Sequence, residues 1–205
     1  MKRTVICCDF DGTITAHDLL DILVDFNLGE GTSNANDEKV LKGAIMGTII
    51  KETFESISMS FDDAIKLIDD NTHIDNHFKK FYELCSANDI EFYIVSSGFK
   101  TLIKHYLPFI PESNIFANDV DIVENKWIVK LCDNTGLNKK KVISQMNDKK
   151  IIYIGDGVSD ICVADMVDIL YVKAGKSLHQ HCINNSIKHL EFETFSDILK
   201  NVKLD

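Results

Sequence analysis

Three segments of this 205-residue chain place acidic and hydroxyl residues among glycines directly after short apolar runs. They are Asp9-Phe10-Asp11-Gly12-Thr13, Ser96-Ser97-Gly98 and Gly155-Asp156-Gly157-Val158-Ser159-Asp160. If the preceding runs are neighbouring parallel strands, all three segments meet at the carboxyl edge of one sheet, where open α/β folds bind ligands. Asp9, Asp11, Asp156 and Asp160 would then stand together. Carboxylates that close raise one another's pKa unless a cation is present. An all-oxygen site for a hard divalent ion such as Mg²⁺ is the natural solution, completed by water and a substrate phosphate. One aspartate alone is usually a turn former; four that converge, with glycines interleaved, satisfy the criteria for a site.

The remaining groups suit phosphoryl transfer. A carboxylate nucleophile divides hydrolysis into two displacements. An aspartate two residues further on can reach the far side of the bridging oxygen, where a general acid must sit. The Ser96 hydroxyl and nearby backbone N–H groups can hold phosphate oxygens at a helix N-terminus, and Ser96 and Ser97 could equally be plain helix caps. A lysine must complete such a site, and Lys139-Lys140-Lys141 follows Asn138. Three cations in a first helical turn oppose the helix dipole, and local violations of this kind concentrate at functional sites. Two of the three read as solvated surface charge.

The elements that would position these residues are legible. Strands are expected at Thr4 to Cys8, Glu91 to Val95, Lys150 to Ile154 and Asp168 to Val172, all nearly continuous apolar runs as in a sheet covered on both faces. Helical spacing appears over Asn76 to Ala87, Lys100 to Leu107, Lys139 to Met146, Asp160 to Met166 and Ser177 to Asn184. The alternation predicts an α/β fold with a doubly wound parallel sheet. Val120 to Val129 breaks the rhythm and reads as an edge hairpin turning at Glu124-Asn125. Asp9 and Ser96 lie 87 positions apart, whereas a strand–helix–strand unit needs roughly thirty residues. The surplus is expected as an inserted helical cap domain at 15–75, dividing a Rossmann-like core into 1–14 and 76–205. Its helical stripes run over Asp18 to Asn27, Ile45 to Ile57 and Phe61 to Ile68, with Ser60 as N-cap and Gly29 to Asp37 as a polar loop. Gly12 to Ala16 and Thr72 to Asp75 would be its hinges.

Composition narrows the function classes. Apolar residues are 45% and charged residues 26%, the balance of a globular domain. A net charge of −10, with Arg3 the one arginine, argues against a nucleic-acid partner, which needs clusters of Lys and Arg. No apolar run reaches the roughly twenty residues that span a bilayer, so no membrane partner is expected. No signal peptide is read in the N-terminus, which makes the cytoplasm the expected compartment and the six cysteines reduced core thiols. Oligomeric state is not legible.

DFDGT, SSG, a lysine opening a later helix and GDGVSD, in that order, resemble the haloacid dehalogenase superfamily over essentially the whole chain. The helical insertion after the first motif looks like the phosphoserine-phosphatase-like branch with a type-1 cap. The stretch Leu131 to Lys139 is similar to methionine-salvage phosphatases, and Tyr153 to Leu199 to small fungal phosphatases of that branch. The resemblance implies a phosphoric monoester hydrolase acting on a small-molecule phosphate ester. By position, Asp9 would be the nucleophile and form an aspartyl-phosphate, and Asp11 the general acid and base. Asp9, the Asp11 main-chain carbonyl and Asp156 would hold Mg²⁺. Ser96, Ser97, Gly98 and Lys139 would bind phosphate, and Asp160 would orient the site from just outside the metal's ligands. Lys139 is preferred to Lys140 because apolar Val142 and Ile143 follow it at +3 and +4.

The cap would set the substrate. Asp18 lies near the position of an acid that contacts the substrate amine in phosphoserine phosphatases. Those enzymes also use a cap arginine, and here Lys51 could substitute only without the bidentate fork. Phosphoserine therefore ranks below a neutral or weakly polar metabolite phosphate, with Asp18, Asn27, Lys42 and Lys51 as candidate contacts. A non-catalytic phospho-aspartate signalling or binding module is the alternative class.

Overall fold

The computed structural model describes residues 2–133 and 135–202; Asn134, within the Leu131 to Lys139 stretch, lies outside them. Seven strands form one sheet: β1 (Thr4–Cys8), β2 (Glu91–Phe99), β3 (Ile115–Val123), β4 (Lys126–Lys130), β5 (Lys150–Gly155), β6 (Ile169–Lys173) and β7 (Leu190–Phe192). Their order is β4-β3-β2-β1-β5-β6-β7, parallel throughout except for the β3–β4 pair. The chain runs outward from β1 on one side and returns to β5 on the other. The point where strand order reverses therefore lies between β1 and β5 and opens a crevice at their carboxyl ends.

Both faces of the sheet are covered. In β1, Ile6 and Cys8 join one apolar cluster, with Phe78, Phe81 and Phe195 from α5 (Phe78–Ala87) and α9 (Phe195–Asn201). Val5 and Cys7 join the other, with Val142 and Leu178 from α7 (Lys139–Ser144) and α8 (Ser177–Asn184). Strand alternation puts successive residues on opposite faces, so this central strand is apolar at every position from Val5 to Cys8. All six cysteines are free thiols, and Cys7, Cys8, Cys85 and Cys182 are buried. Among the described residues no helix is long and apolar enough to cross a membrane.

The surplus sequence between β1 and β2 holds α1 (Leu19–Leu28), α2 (Thr32–Leu41), α3 (Met46–Glu55) and α4 (Phe61–Asn71). Its two ends are paired in an antiparallel bridge between Thr15 and Ile74, reinforced by Ala16 N–H to the His73 carbonyl and Asp75 N–H to the Ile14 carbonyl, each 2.9 Å. Residues Gly29 to Asp37 are not a loop: from Thr32 the chain is helical. Polar contacts hold α2, which is why it has no apolar stripe to read. Gly31 turns into it at φ 85°, Ser33 N–H and Oγ donate to the Asp25 carboxylate at 2.8 and 3.0 Å, and Asn36 donates to the Thr53 hydroxyl at 3.1 Å.

Two further expectations change. The helix expected over Asp160 to Met166 is a 3₁₀ turn at Val158–Val163, tightened where the Asp160 carboxylate folds back on the backbone N–H groups of Asp156 and Gly157. The β2 strand continues through Ser96, Ser97 and Gly98 to Phe99, and α6 (Lys100–Tyr106) starts only after it, so neither serine caps that helix.

The hairpin turns at Glu124 and Asn125, whose φ of 51° and 66° suit the primed turn that matches strand twist. It reaches past the sheet edge to the insertion. Met59 N–H donates to the Asn125 carbonyl at 2.8 Å, and Ser58 bridges Lys126. Trp127, 1% exposed, packs against Phe54 of α3 and Phe99 of β2, and its Nε1–H donates to the Met59 carbonyl at 2.9 Å. Trp127→Ala is expected to cost about 3–5 kcal/mol, the range for deleting a large buried aromatic. Denaturant unfolding followed by far-UV circular dichroism checks this, since the variant loses the chain's single tryptophan.

Candidate active site

β1 and β5 end side by side in register, Cys8 opposite Ile154, and Asp9 N–H donates to the Ile154 carbonyl at 2.9 Å. The next residues of each strand are therefore Asp9 and Asp156. Asp9, Asp156 and Asp160 offer carboxylate oxygens all within 4.8 Å of one another. Asp11 follows on the turn after β1, where its carboxylate accepts from the Ser96 hydroxyl at 3.1 Å. Ser96 Oγ in turn accepts from Gly98 N–H at 2.9 Å. A Cβ on Gly98 would collide with the Asp11 carboxylate, so the close approach of β2 to this turn requires glycine. Gly12 sits at φ 74°, with Asp156 packed where its Cβ would be. The expected residues Asp9, Asp11, Asp156, Ser96, Ser97 and Gly98 thus line one cavity of about 910 Å³, together with Asp18.

Lys139 is the cation at this cluster. It opens α7 under the Asn138 cap and is 2% exposed, and its Nζ lies 2.9 Å from Asp9 and 2.6 Å from Asp160. Burial works against its charge, but Asp160 and Asp9 outweigh that and hold it protonated. Lys140 and Lys141 are exposed. Asp160 is saturated: it accepts from Lys139, from the Tyr153 hydroxyl at 2.5 Å, and from Asp156 and Gly157 N–H at 2.9 and 3.0 Å. Burial raises its pKa, yet Lys139 and these donors bring it below the ordinary carboxylate value. The other three carboxylates are pushed up. Burial and then Asp160 raise Asp9, burial and then Asp18 raise Asp11, and burial and then Asp160 bring Asp156 to about 6. Buried carboxylate oxygens this close together, their charges opposed first by burial, fit a hard divalent cation.

Four contributors have no role assigned by sequence reasoning, although Thr13 stands in the first motif. Tyr153 sits inside an apolar strand and reads as packing. Thr13, 1% exposed, donates to Asp156 at 2.6 Å. Asn118, fully buried in β3, donates to the Ser97 carbonyl at 2.8 Å and accepts from Cys132 N–H at 3.1 Å, fixing the end of β2 that carries Ser97. Lys173 ends β6 and reaches the turn after Asp11. Conversely, Asn27, Lys42 and Lys51 do not line the cavity. Asn27 bonds back to the Leu23 carbonyl, Lys42 pairs with Glu38, and Lys51 lies near Glu55 in a separate depression beside Val129. Asp18 does line it, but one of its carboxylate oxygens caps α1 through Leu20 and Asp21 N–H. Tyr153→Phe is expected to lower stability by about 1.5–3 kcal/mol, the worth of a hydrogen bond to a charged group. Urea unfolding of the folded variant measures it.

The chain matches the model of the haloacid dehalogenase-like hydrolases over residues 6–165. It is 33% identical to Pdp3-interacting factor 1 of Schizosaccharomyces pombe, covering 98% of this chain and 96% of that protein. It is also 33% identical to the polyol phosphate phosphatase PYP1 of Saccharomyces cerevisiae, covering 99% and 94%. A solved substrate-bound phosphoserine phosphatase superposes with a TM-score of 0.74 over 99% of this chain and 100% of that one, at 14% identity, which is a likeness of fold. A match over most of the length, with relatives a third identical end to end, establishes that this chain belongs to the haloacid dehalogenase-like hydrolase family.

Proposed function

We propose that the protein is a Mg²⁺-dependent phosphatase that hydrolyses a small-metabolite phosphomonoester through an aspartyl-phosphate on Asp9. One observation carries this reading: Asp9 is buried at the strand-order reversal, 2.9 Å from the Lys139 ammonium, with Asp11 two residues along and Asp156 beside it. An Asp9 carboxylate oxygen attacks phosphorus as the ester P–O bond breaks. Asp11, whose raised pKa suits a proton donor, protonates the departing alkoxide. Water then attacks the acyl phosphate and gives its proton to Asp11, releasing inorganic phosphate and restoring the Asp9 carboxylate. Lys139 and the Ser96–Gly98 stretch of β2 neutralise and hold the equatorial phosphate oxygens. Asp9, the Asp11 carbonyl and Asp156 would hold Mg²⁺, which supplies further charge neutralisation there.

The insertion, proposed as the cap over 15–75, argues for the kind of ester. Its side of the cavity presents Asp18, Asp21, Asp25 and Asp37 with neutral Asn34, Asn36 and Thr53. Burial, then Asp37 and Asp25, push Asp21 up to about 7. Lys176 is the single lysine lining the cavity among the described residues. Arg3 lies at the opposite end of β1, where its carbonyl accepts from Lys150 N–H. A substrate carboxylate would meet like charge without a guanidinium fork. The wall supports a hydroxylated, otherwise uncharged ester such as a polyol phosphate over phosphoserine, in keeping with the yeast relative's name.

Release of phosphate from an aryl phosphate with Mg²⁺ tests the reaction class, and comparing a polyol phosphate with phosphoserine tests the substrate class; faster turnover of phosphoserine would reverse that ranking. Asp9→Asn should keep the fold and lose several orders of magnitude in kcat; more than about a tenth of wild-type kcat remaining would remove Asp9 as nucleophile. Lys139→Ala should cost about 10²- to 10³-fold in kcat, as for loss of a preorganised charge stabiliser, with exposed Lys140→Ala near wild type.

A further inference from the structure

Lys173, the last residue of β6, has no carboxylate partner within ion-pair distance among the described residues. Its ammonium donates to main-chain carbonyls instead: Gly12 at 2.6 Å, Thr15 at 3.0 Å and Thr13 at 3.4 Å. All three belong to the turn that leaves Asp11 and enters the insertion. Ending a partly buried strand in lysine is costly, because a desolvated ammonium needs its donors satisfied; burial lowers the pKa of this one.

The ammonium's three donors match three carbonyls that would otherwise face one another unpaired at this turn. Gly12 N–H to Thr15 Oγ1 at 2.8 Å and Thr15 Oγ1–H to the His17 carbonyl at 2.6 Å shape the turn internally. Thr13 Oγ1–H to Asp156 at 2.6 Å and the Thr13, Ile14 and Thr15 N–H groups on the Phe10 carbonyl tie it to the ends of β5 and β1, and Lys173 adds the tie to β6. Two site groups depend on where the turn lies: Asp11 immediately before it, and Asp156, which accepts from Thr13 within it.

We infer that Lys173 is a positioning residue, clamping the Gly12–Thr15 turn to β6 so that Asp11 stands on the leaving-group side of the phosphate. The inference rests on the proposed role of Asp11 as proton donor, and the leaving group separates that role from general structural support. An aryl phosphate expels a weakly basic phenolate that hardly needs a proton, whereas an alkyl phosphate such as glycerol phosphate expels an alkoxide that does. The ratio kcat/KM reports only steps up to the first irreversible one, phosphoryl transfer to Asp9.

Lys173→Met keeps the stem and removes every donor; Lys173→Gln keeps an N–H donor on a shorter stem. Lys173→Met should lose on the order of 10²-fold in kcat/KM for glycerol phosphate, as for loss of a positioned acid, and several-fold at most for p-nitrophenyl phosphate. Lys173→Gln should fall between wild type and Lys173→Met. Equal losses on both esters, or none, would overturn the inference. Amide hydrogen exchange reads the clamp without turnover: residues 12–16 should exchange faster in both variants, while unchanged exchange there refutes it. Wild-type protein inactive on p-nitrophenyl phosphate with Mg²⁺ would instead refute the proposed reaction, and the exchange result would still decide whether the clamp exists.

Discussion

A single buried ammonium, Lys139, stands among four buried carboxylates, and the arrangement of the site follows from that imbalance. Removing one partner from a buried ion pair leaves an uncompensated charge, which is strongly destabilising. The structure meets this by dividing the labour. Asp160 takes Lys139, Tyr153 and two backbone N–H groups and is fully compensated. Asp9, Asp11 and Asp156 share far fewer donors, and burial raises their pKa values. The compensated aspartate holds the lysine in place, and the other three keep oxygen lone pairs without a protein donor among the described residues.

That division explains which residues sequence reading finds. Asp9, Asp11 and Asp156 are conspicuous because they interrupt apolar runs at strand ends, where a polar residue has no packing purpose. Lys139 is distinguishable from its two neighbours because Val142 and Ile143 put its side of α7 against the core. Tyr153 and Asn118 are invisible by the same logic: Tyr153 stands between apolar neighbours as one more packing residue, and Asn118 is followed by Asp119 and Asp121 in a strand of mixed polarity. Only the third dimension shows that Tyr153 meets Asp160 and Asn118 meets Ser97. Lys173 is hidden because its partners are carbonyls, which leave no trace in residue types. The fold shows the same contrast. Parallel strands buried on both faces were legible. Helix α2, bound through Asp25, Ser33 and Thr53, was not, nor were the short β7 and α9 near the C-terminus.

The insertion is attached unevenly. Through Phe54 and Met59, the stretch around α3 shares an apolar cluster and hydrogen bonds with the β3–β4 hairpin. Helices α1 and α2 carry Asp18, Asp21, Asp25 and Asp37 over the cavity and meet each other mainly through polar bonds. Polar contacts reform with water at little cost, whereas exposing Phe54 and Trp127 forfeits several kcal/mol of burial, on the order of 1.5–3 for each large apolar side chain. Leu19, Leu23 and Val24 anchor α1 in the same apolar cluster as the aromatic strut, so only the α2 part of the acidic wall is held by polar bonds alone.

The bridge between Thr15 and Ile74 has a consequence for how such a chain can diversify. Because the insertion leaves and rejoins the sheet at adjacent, hydrogen-bonded residues, everything between them can change in length or topology without shifting β1 against β2. A lineage can therefore exchange the helices over the cavity while the strand-end carboxylates are inherited intact, much as loops vary on a barrel. The strut limits this freedom. A replacement module must bring an aromatic face of its own to Trp127, or the β3–β4 hairpin must be exchanged with it, so the smallest transferable unit in this protein is discontinuous in sequence: the helices and the hairpin together.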